Sequence, residues 1–246
     1  MKRELRKQIR EDELRSGLER AAEWLAAHRE EARITAAVVV VVGAIAGGLA
    51  YFDAQRRGEA ERAFSAAMEI FRGPVAAELK PDAERPAGTI YGTAEEKFKK
   101  AAAAFDGVER RYASQAVAER ARYYGALSRM EFGAYEEAEK ALKEAASRAG
   151  GERIEPALAR MALAELYRRR GDKDKAVQAY RDVASDRSLP LPRDYALMSL
   201  GSLLEQMDRL GEAEATYRRV TEEFPTGAYS AEARRRLNHL RTAVEG

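Results

Sequence analysis

The chain has 246 residues, with 43 Lys and Arg against 41 Asp and Glu, for a net charge of +2. That balance argues against nucleic acid, which calls for a one-sided basic field; Arg168-Arg169-Arg170 and Arg234-Arg235-Arg236 read as solvated helix faces. With no cysteine, thiol catalysis, disulfides, cysteine-ligated zinc and a lipidated-cysteine anchor are excluded. The wealth of Ala, Glu, Arg and Leu, with few β-branched residues outside one segment, predicts an all-α protein.

Residues 1–33 form a charged tail holding nine Lys/Arg and eight Asp/Glu. Leu14, Leu18, Ala21 and Leu25 recur at helical spacing, one apolar stripe on a charged rod. Trp24 sits beside that stripe, where an amphipathic ring suits a headgroup region. The tail reads either as a solvated helix leading inward or as an interfacial or partner-binding helix.

From Ile34 to Phe52 there is no charged side chain. Nineteen residues at ~1.5 Å each give ~28 Å, close to the hydrocarbon thickness of a bilayer. The expectation for 34–52 is a single transmembrane helix. A cleaved signal peptide would have a shorter tail and a shorter apolar core, and a buried core helix is the other alternative. Gly43, Gly47 and Ala50 present small residues on one face, a packing surface for a second copy or another membrane helix. The basic residues of the tail favour an N-terminus inside and a domain outside.

A helical pattern continues over 53–79, with Ala60, Ala63, Phe64, Ala67, Met68 and Phe71 on one face. Residues 80–93 follow as a Pro/Gly-rich loop, a break that Gly73 and Pro74 already announce. The reading for it is a long exposed loop.

Residues 94–246 repeat themselves. Ala138, Ala176 and Ala213 are 38 and 37 residues apart, and Leu142, Tyr180 and Tyr217 follow each alanine by four. Gly133 and Gly171 fall between paired helices, and Asp208 takes the same place in the third copy. Ala101, Phe105, Val108 and Tyr112 repeat the second-helix spacing alone, so 53–79 is expected to supply the missing first helix. Ala228 to Val244 reads as a capping helix.

This pattern resembles the tetratricopeptide repeat (TPR), a helix–turn–helix unit of about 34 residues. Leu163-Ala164, Tyr167, Gly171, Ala176 and Tyr180 carry the likeness in the middle copy, and Leu200-Gly201, Ala213, Tyr217 and Phe224-Pro225 carry it in the third. After the N-terminal helix and the single membrane helix read above, the resemblance implies a TPR-like α-solenoid over about 94–246 with a C-terminal capping helix. It also implies a protein-binding groove lined by the first helix of each repeat. On that register the groove holds Arg120, Tyr123, Leu127 and Met130, then Leu158, Met161, Glu165 and Arg168, then Tyr195, Met198, Ser202 and Glu205. The alternative for several of these is burial between helices. Domains of this family that grip acidic C-termini use Lys and Asn, and Asn238 is the only asparagine in this chain.

Catalysis has no candidate constellation. His28 and His239 lie at opposite ends of the chain, and there is no phosphate-binding glycine loop and no G-x-S-x-G elbow. The expectation is a protein that is not an enzyme and needs no cofactor or metal.

The tail motif RKQIREDEL, the single span and the repeats together are similar to the YfgM-like family of ancillary Sec-translocon proteins. That resemblance implies a bacterial inner-membrane protein with a cytoplasmic N-terminus and a periplasmic repeat domain. The implied partners are translocon components, chaperones or client polypeptides, with homodimerisation through the span an added option. A scaffold subunit of one envelope complex and a cytosol-facing membrane-tethered adaptor stand as alternatives.

Overall fold

The structure, a computed structural model, describes Trp24 and residues 29–79, 88–147 and 154–245. The predicted stripe Leu14, Leu18, Ala21 and Leu25, and His28, lie outside the described residues. The chain divides into two units, Met1–Gly58 and Glu59–Gly246.

Helix α1 runs from Arg29 to Arg72. Glu30 and Glu31 in its first turn favour the positive end of the helix dipole, and Glu30 accepts from Arg33 at 2.8 Å. Over Ile34–Phe52 its large apolar side chains are bare: Val40 is 70 % exposed and Phe52 67 %. This stretch is long and apolar enough to cross a membrane. A Cβ added at Gly43 or Gly47 would meet nothing within 4 Å.

The helix expected to reach Leu79 ends at Arg72. Gly73 and Pro74 stop it, and a short 3-10 turn occupies Ala76–Glu78. The expected exposed loop is also pinned at its described ends. Val75 and Tyr91 are buried and pair as an isolated parallel bridge. Tyr91 N–H donates to the Pro74 carbonyl at 3.0 Å, and Ala76 N–H donates to the Tyr91 carbonyl at 2.8 Å. Residues 80–87 lie outside the described residues.

The second unit continues with α2 (Ala94–Arg111), α3 (Val117–Glu131), α4 (Tyr135–Ser147) and α5 (Glu155–Arg170). Then come α6 (Lys173–Ser185), α7 (Arg193–Gln206), α8 (Leu210–Glu223) and α9 (Ser230–Glu245). Their starts and stops follow local chemistry. The Thr93 side chain accepts from Glu96 N–H at 3.1 Å, and the Glu96 carboxylate accepts from Gly92 N–H at 3.3 Å. Together they satisfy amides that the first turn of α2 leaves open. Gly133 and Gly171 take positive φ of 80° and 88°, which a residue without Cβ adopts freely. Asp208 fills the same turn in the third hairpin at φ 58°.

Two hydrophobic clusters run through this unit. The first packs Ala60, Phe64, Ala67 and Met68 against Phe105, Val108, Tyr112 and Val117. Segment 59–72 of α1 is therefore the partner that α2 lacked in sequence. Phe64, Phe71, Phe105 and Tyr124 form its aromatic centre, with neighbouring ring centroids 5.6 to 6.2 Å apart. The second cluster extends from Ala126 to Leu240. Ala138, Ala176 and Ala213 are fully buried in it, as are Leu142, Tyr180 and Tyr217 to within 1 %. Helix α9 ends the α-solenoid with Ala233, Leu237 and Leu240 turned inward and Arg234, Arg235, Asn238 and Arg241 in solvent. A polar outer face is what a terminal helix of a repeat stack requires.

Candidate functional site

The first helices of the C-terminal hairpins enclose a shallow cavity of about 340 Å³. Helix α5 contributes Glu165 and Arg168, and α7 contributes Tyr195, Met198, Ser199, Ser202, Leu203 and Gln206. Tyr217 comes from α8, Tyr229 precedes α9, and Glu232 and Arg236 come from α9 itself. Tyr195, Ser199, Ser202 and Gln206 fall at i, i+4, i+7 and i+11, so one face of α7 forms the cavity's length. Met198, Leu203 and Tyr217 are buried, and Tyr195 remains 42 % exposed.

The charges around this cavity are matched among themselves. Burial raises the Glu165 carboxyl, but hydrogen bonds from Arg168, Arg169 and Tyr180 outweigh it and leave the group below the usual carboxylate range. Arg168 donates to Glu165 through Nε at 2.8 Å and Nη2 at 2.6 Å, a two-pronged contact. Arg169 and the Tyr180 hydroxyl add donors at 2.9 and 3.0 Å. On the other side, Arg236 donates to Glu232 at 3.1 Å and to Glu205 at 3.4 Å. The Tyr217 hydroxyl donates to Glu205 at 2.9 Å. Burial, then that bond, raises the Tyr217 hydroxyl far above its ordinary value, so it stays a donor.

Of the twelve residues that the repeat register placed in a groove, Glu165, Arg168, Tyr195, Met198 and Ser202 meet in this cavity, with Glu205 bonded to two of its lining residues. The others are elsewhere. Met130 is 3 % exposed and belongs to the core, so it is corrected from groove to packing residue. Tyr123, Leu127 and Met161 pack partly buried against the same cluster. Burial pushes the Tyr123 hydroxyl up to about 12. Leu158 is half-buried on α5. Arg120 pairs with Glu61 and stacks 4.7 Å over the Phe64 ring, lining a separate cavity beside segment 59–72.

The sequence register missed Ser199, Leu203, Gln206, Tyr217, Tyr229, Glu232 and Arg236. A signal for three of them exists. Tyr229, Glu232 and Arg236 lie 34 residues beyond Tyr195, Met198 and Ser202, one repeat length on. The capping helix therefore also serves as one more first helix and closes the cavity's end.

A comparison with curated proteins found no match. Among solved structures, this chain is similar to the nearly identical TPR-like repeats of a kinesin light chain assigned in Podosopora anserina. The likeness has a TM-score of 0.50 at 14 % identity, over 61 % of this chain and 80 % of that one. A single-substitution variant of those repeats matches at 15 % identity, with the same TM-score and coverage. MamA of AMB-1 is similar over 78 % of this chain and 84 % of that one, at 14 % identity and a TM-score of 0.47. At such identities the likeness concerns the fold. A family model described as "Tetratricopeptide repeat-like domain" matches residues 24–242, so the chain belongs to the tetratricopeptide repeat-like domain family.

Proposed function

We propose that this protein is a membrane-anchored, non-catalytic interaction module of the YfgM-like kind. It crosses a bacterial inner membrane once, with the N-terminus in the cytoplasm and the repeat domain in the periplasm. There it assists secreted or envelope proteins beside the Sec translocon and periplasmic chaperones. The observation that carries the reading is a contrast in burial: the repeat helices bury their apolar faces, while Ile34–Phe52 leaves Val38 to Val42 more than half exposed. Such a surface calls for lipid around it. Tethering raises the local concentration of the repeat surface for its partners, so that modest affinity suffices. Gly43, Gly47 and Ala50 supply a face on which a second copy packs in the membrane.

A topology reporter fused after Gly246 tests the orientation; a cytosolic C-terminus overturns the periplasmic assignment. Photo-crosslinkers placed at Tyr195 and Ser202, both in the cavity lining, test the partners. Translocating chains or a chaperone are expected in the adducts. One stoichiometric partner instead would make the protein a scaffold subunit, and no adduct from either position would overturn the groove.

A further inference from the structure

We propose that the cavity between α5, α7 and α9 accepts an uncharged, extended polypeptide segment through a large apolar or aromatic side chain, and rejects acidic ends. The inference rests on the reading of this face as a protein-binding surface and specifies what it binds.

The electrostatics decide the charge of the occupant. Two arginines and two glutamates line the cavity. Arg168 is engaged by Glu165, and Arg236 by Glu232 and Glu205. An incoming carboxylate competes at Arg168 with a carboxylate already held in two-pronged contact, and at Arg236 with two that each accept one bond. Glu165 is only 25 % exposed at its side chain, and loss of Arg168 would remove two of the four hydrogen bonds it accepts, leaving those from Arg169 and Tyr180. A lysine or arginine on the ligand meets the same obstacle from the two glutamates. A neutral segment disturbs none of these pairs.

The remaining lining decides the shape. Tyr195 and Tyr229 stand 5.7 Å apart at 48°, one from α7 and one just before α9. Met198 and Leu203 are buried residues of the same lining. An aromatic pair that shares a cavity with a sulfur and an aliphatic side chain offers edge-to-face and sulfur contacts to an inserted ring. The volume of about 340 Å³ falls at the small end of ligand pockets, which suits one or two side chains. Along the same face of α7, Ser199, Ser202 and Gln206 bring neutral donors and acceptors, of the kind that peptide amides use.

The test uses the full chain, fluorescently labelled and held in lipid nanodiscs, with empty nanodiscs as background. Three end-blocked Gly/Ser decapeptides are titrated, carrying two Phe, two Ala or two Asp at the same positions. The Phe peptide is expected to bind at least roughly tenfold more tightly than the other two, and Tyr195→Ala and Tyr229→Ala should each weaken it about tenfold. Tyr195 is well exposed, so its loss leaves the fold intact. An Asp peptide that binds as well as the Phe peptide and depends on Tyr195 overturns the selectivity while the groove stands. Phe-peptide binding that ignores both tyrosines, or no binding at all, overturns the inference. The groove itself is judged separately by crosslinks from Tyr195 and Ser202.

Discussion

Tyr217 lays its ring across the bare Cα of Gly201, where an added Cβ would stand 2.5 Å from the ring. The ring thus fills the space of the missing side chain, and its hydroxyl reaches Glu205 on the next turn of α7. In the preceding hairpin, Ala164 occupies the equivalent place, and Tyr180 bonds instead to Glu165, its immediate neighbour. The two hairpins thus lock a second helix onto a first through different carboxylates, Arg168 standing in the earlier repeat where Glu205 stands in the later one. Gly201→Ala should cost ~1–3 kcal/mol by overpacking. Thermal unfolding would read this as a lowered midpoint, and an unchanged midpoint would show that the ring has room to shift.

Asp208 is the only non-glycine residue with positive φ among the described residues. A β-carbon in the left-handed region costs ~1–2 kcal/mol, relieved in part for Asp. Asp208→Gly is therefore expected to be neutral or stabilising by a few tenths of a kcal/mol, and Asp208→Val to destabilise by ~1–2 kcal/mol. Denaturant midpoints of the two variants, measured side by side, check the ordering.

Phe105 is fully buried where α2 meets segment 59–72 and α3. Phe105→Ala should cost ~3–5 kcal/mol, since it removes the ring that Phe64, Phe71 and Tyr124 all touch. Protease cutting near Ala60–Phe71 should rise first, before the C-terminal hairpins open. Cutting that begins instead between α6 and α9 would argue that this cluster does not hold the first hairpin.

Glu139 of α4 is held down to about 2 by a hydrogen bond from Lys143, against its burial, with Arg170 and the Tyr167 hydroxyl adding further donors. Because its folded value lies below the ordinary 4.5, its contribution is fully present above pH 4.5 and disappears as the pH falls towards 2. Glu139→Gln should lower stability at neutral pH and flatten the loss of stability over that acid interval. Parallel acid titrations followed by circular dichroism provide the comparison.

Much of the helical plan follows from neighbouring residues. The uncharged run Ile34–Phe52, the buried alanines Ala138, Ala176 and Ala213, and the turns at Gly133, Gly171 and Asp208 all depend on spacing and backbone preference within a few residues. Such local terms are visible in a linear chain. The end of α1 was read too late, at Leu79, although Gly73-Pro74 stops the helix at Arg72 whatever surrounds it.

The candidate site was legible only in part. The register placed Tyr195, Met198 and Ser202 on one face of α7, but helical periodicity cannot tell a groove from a core. Met130 has the same spacing and is buried in the core cluster that also holds Leu142 of α4 and Leu166 of α5. Nor could the sequence pair the charges. Arg236 meets Glu205 from 31 residues away, and Arg169 meets Glu131 from 38. Those distances collapse only when hairpins stack, and the stacking depends on how rings such as Tyr217 seat against small residues such as Gly201. The sequence alone therefore determined an all-α repeat chain with one bare apolar helix. The tertiary structure decided that its cavity is aromatic and internally neutralised, because both properties arise between helices.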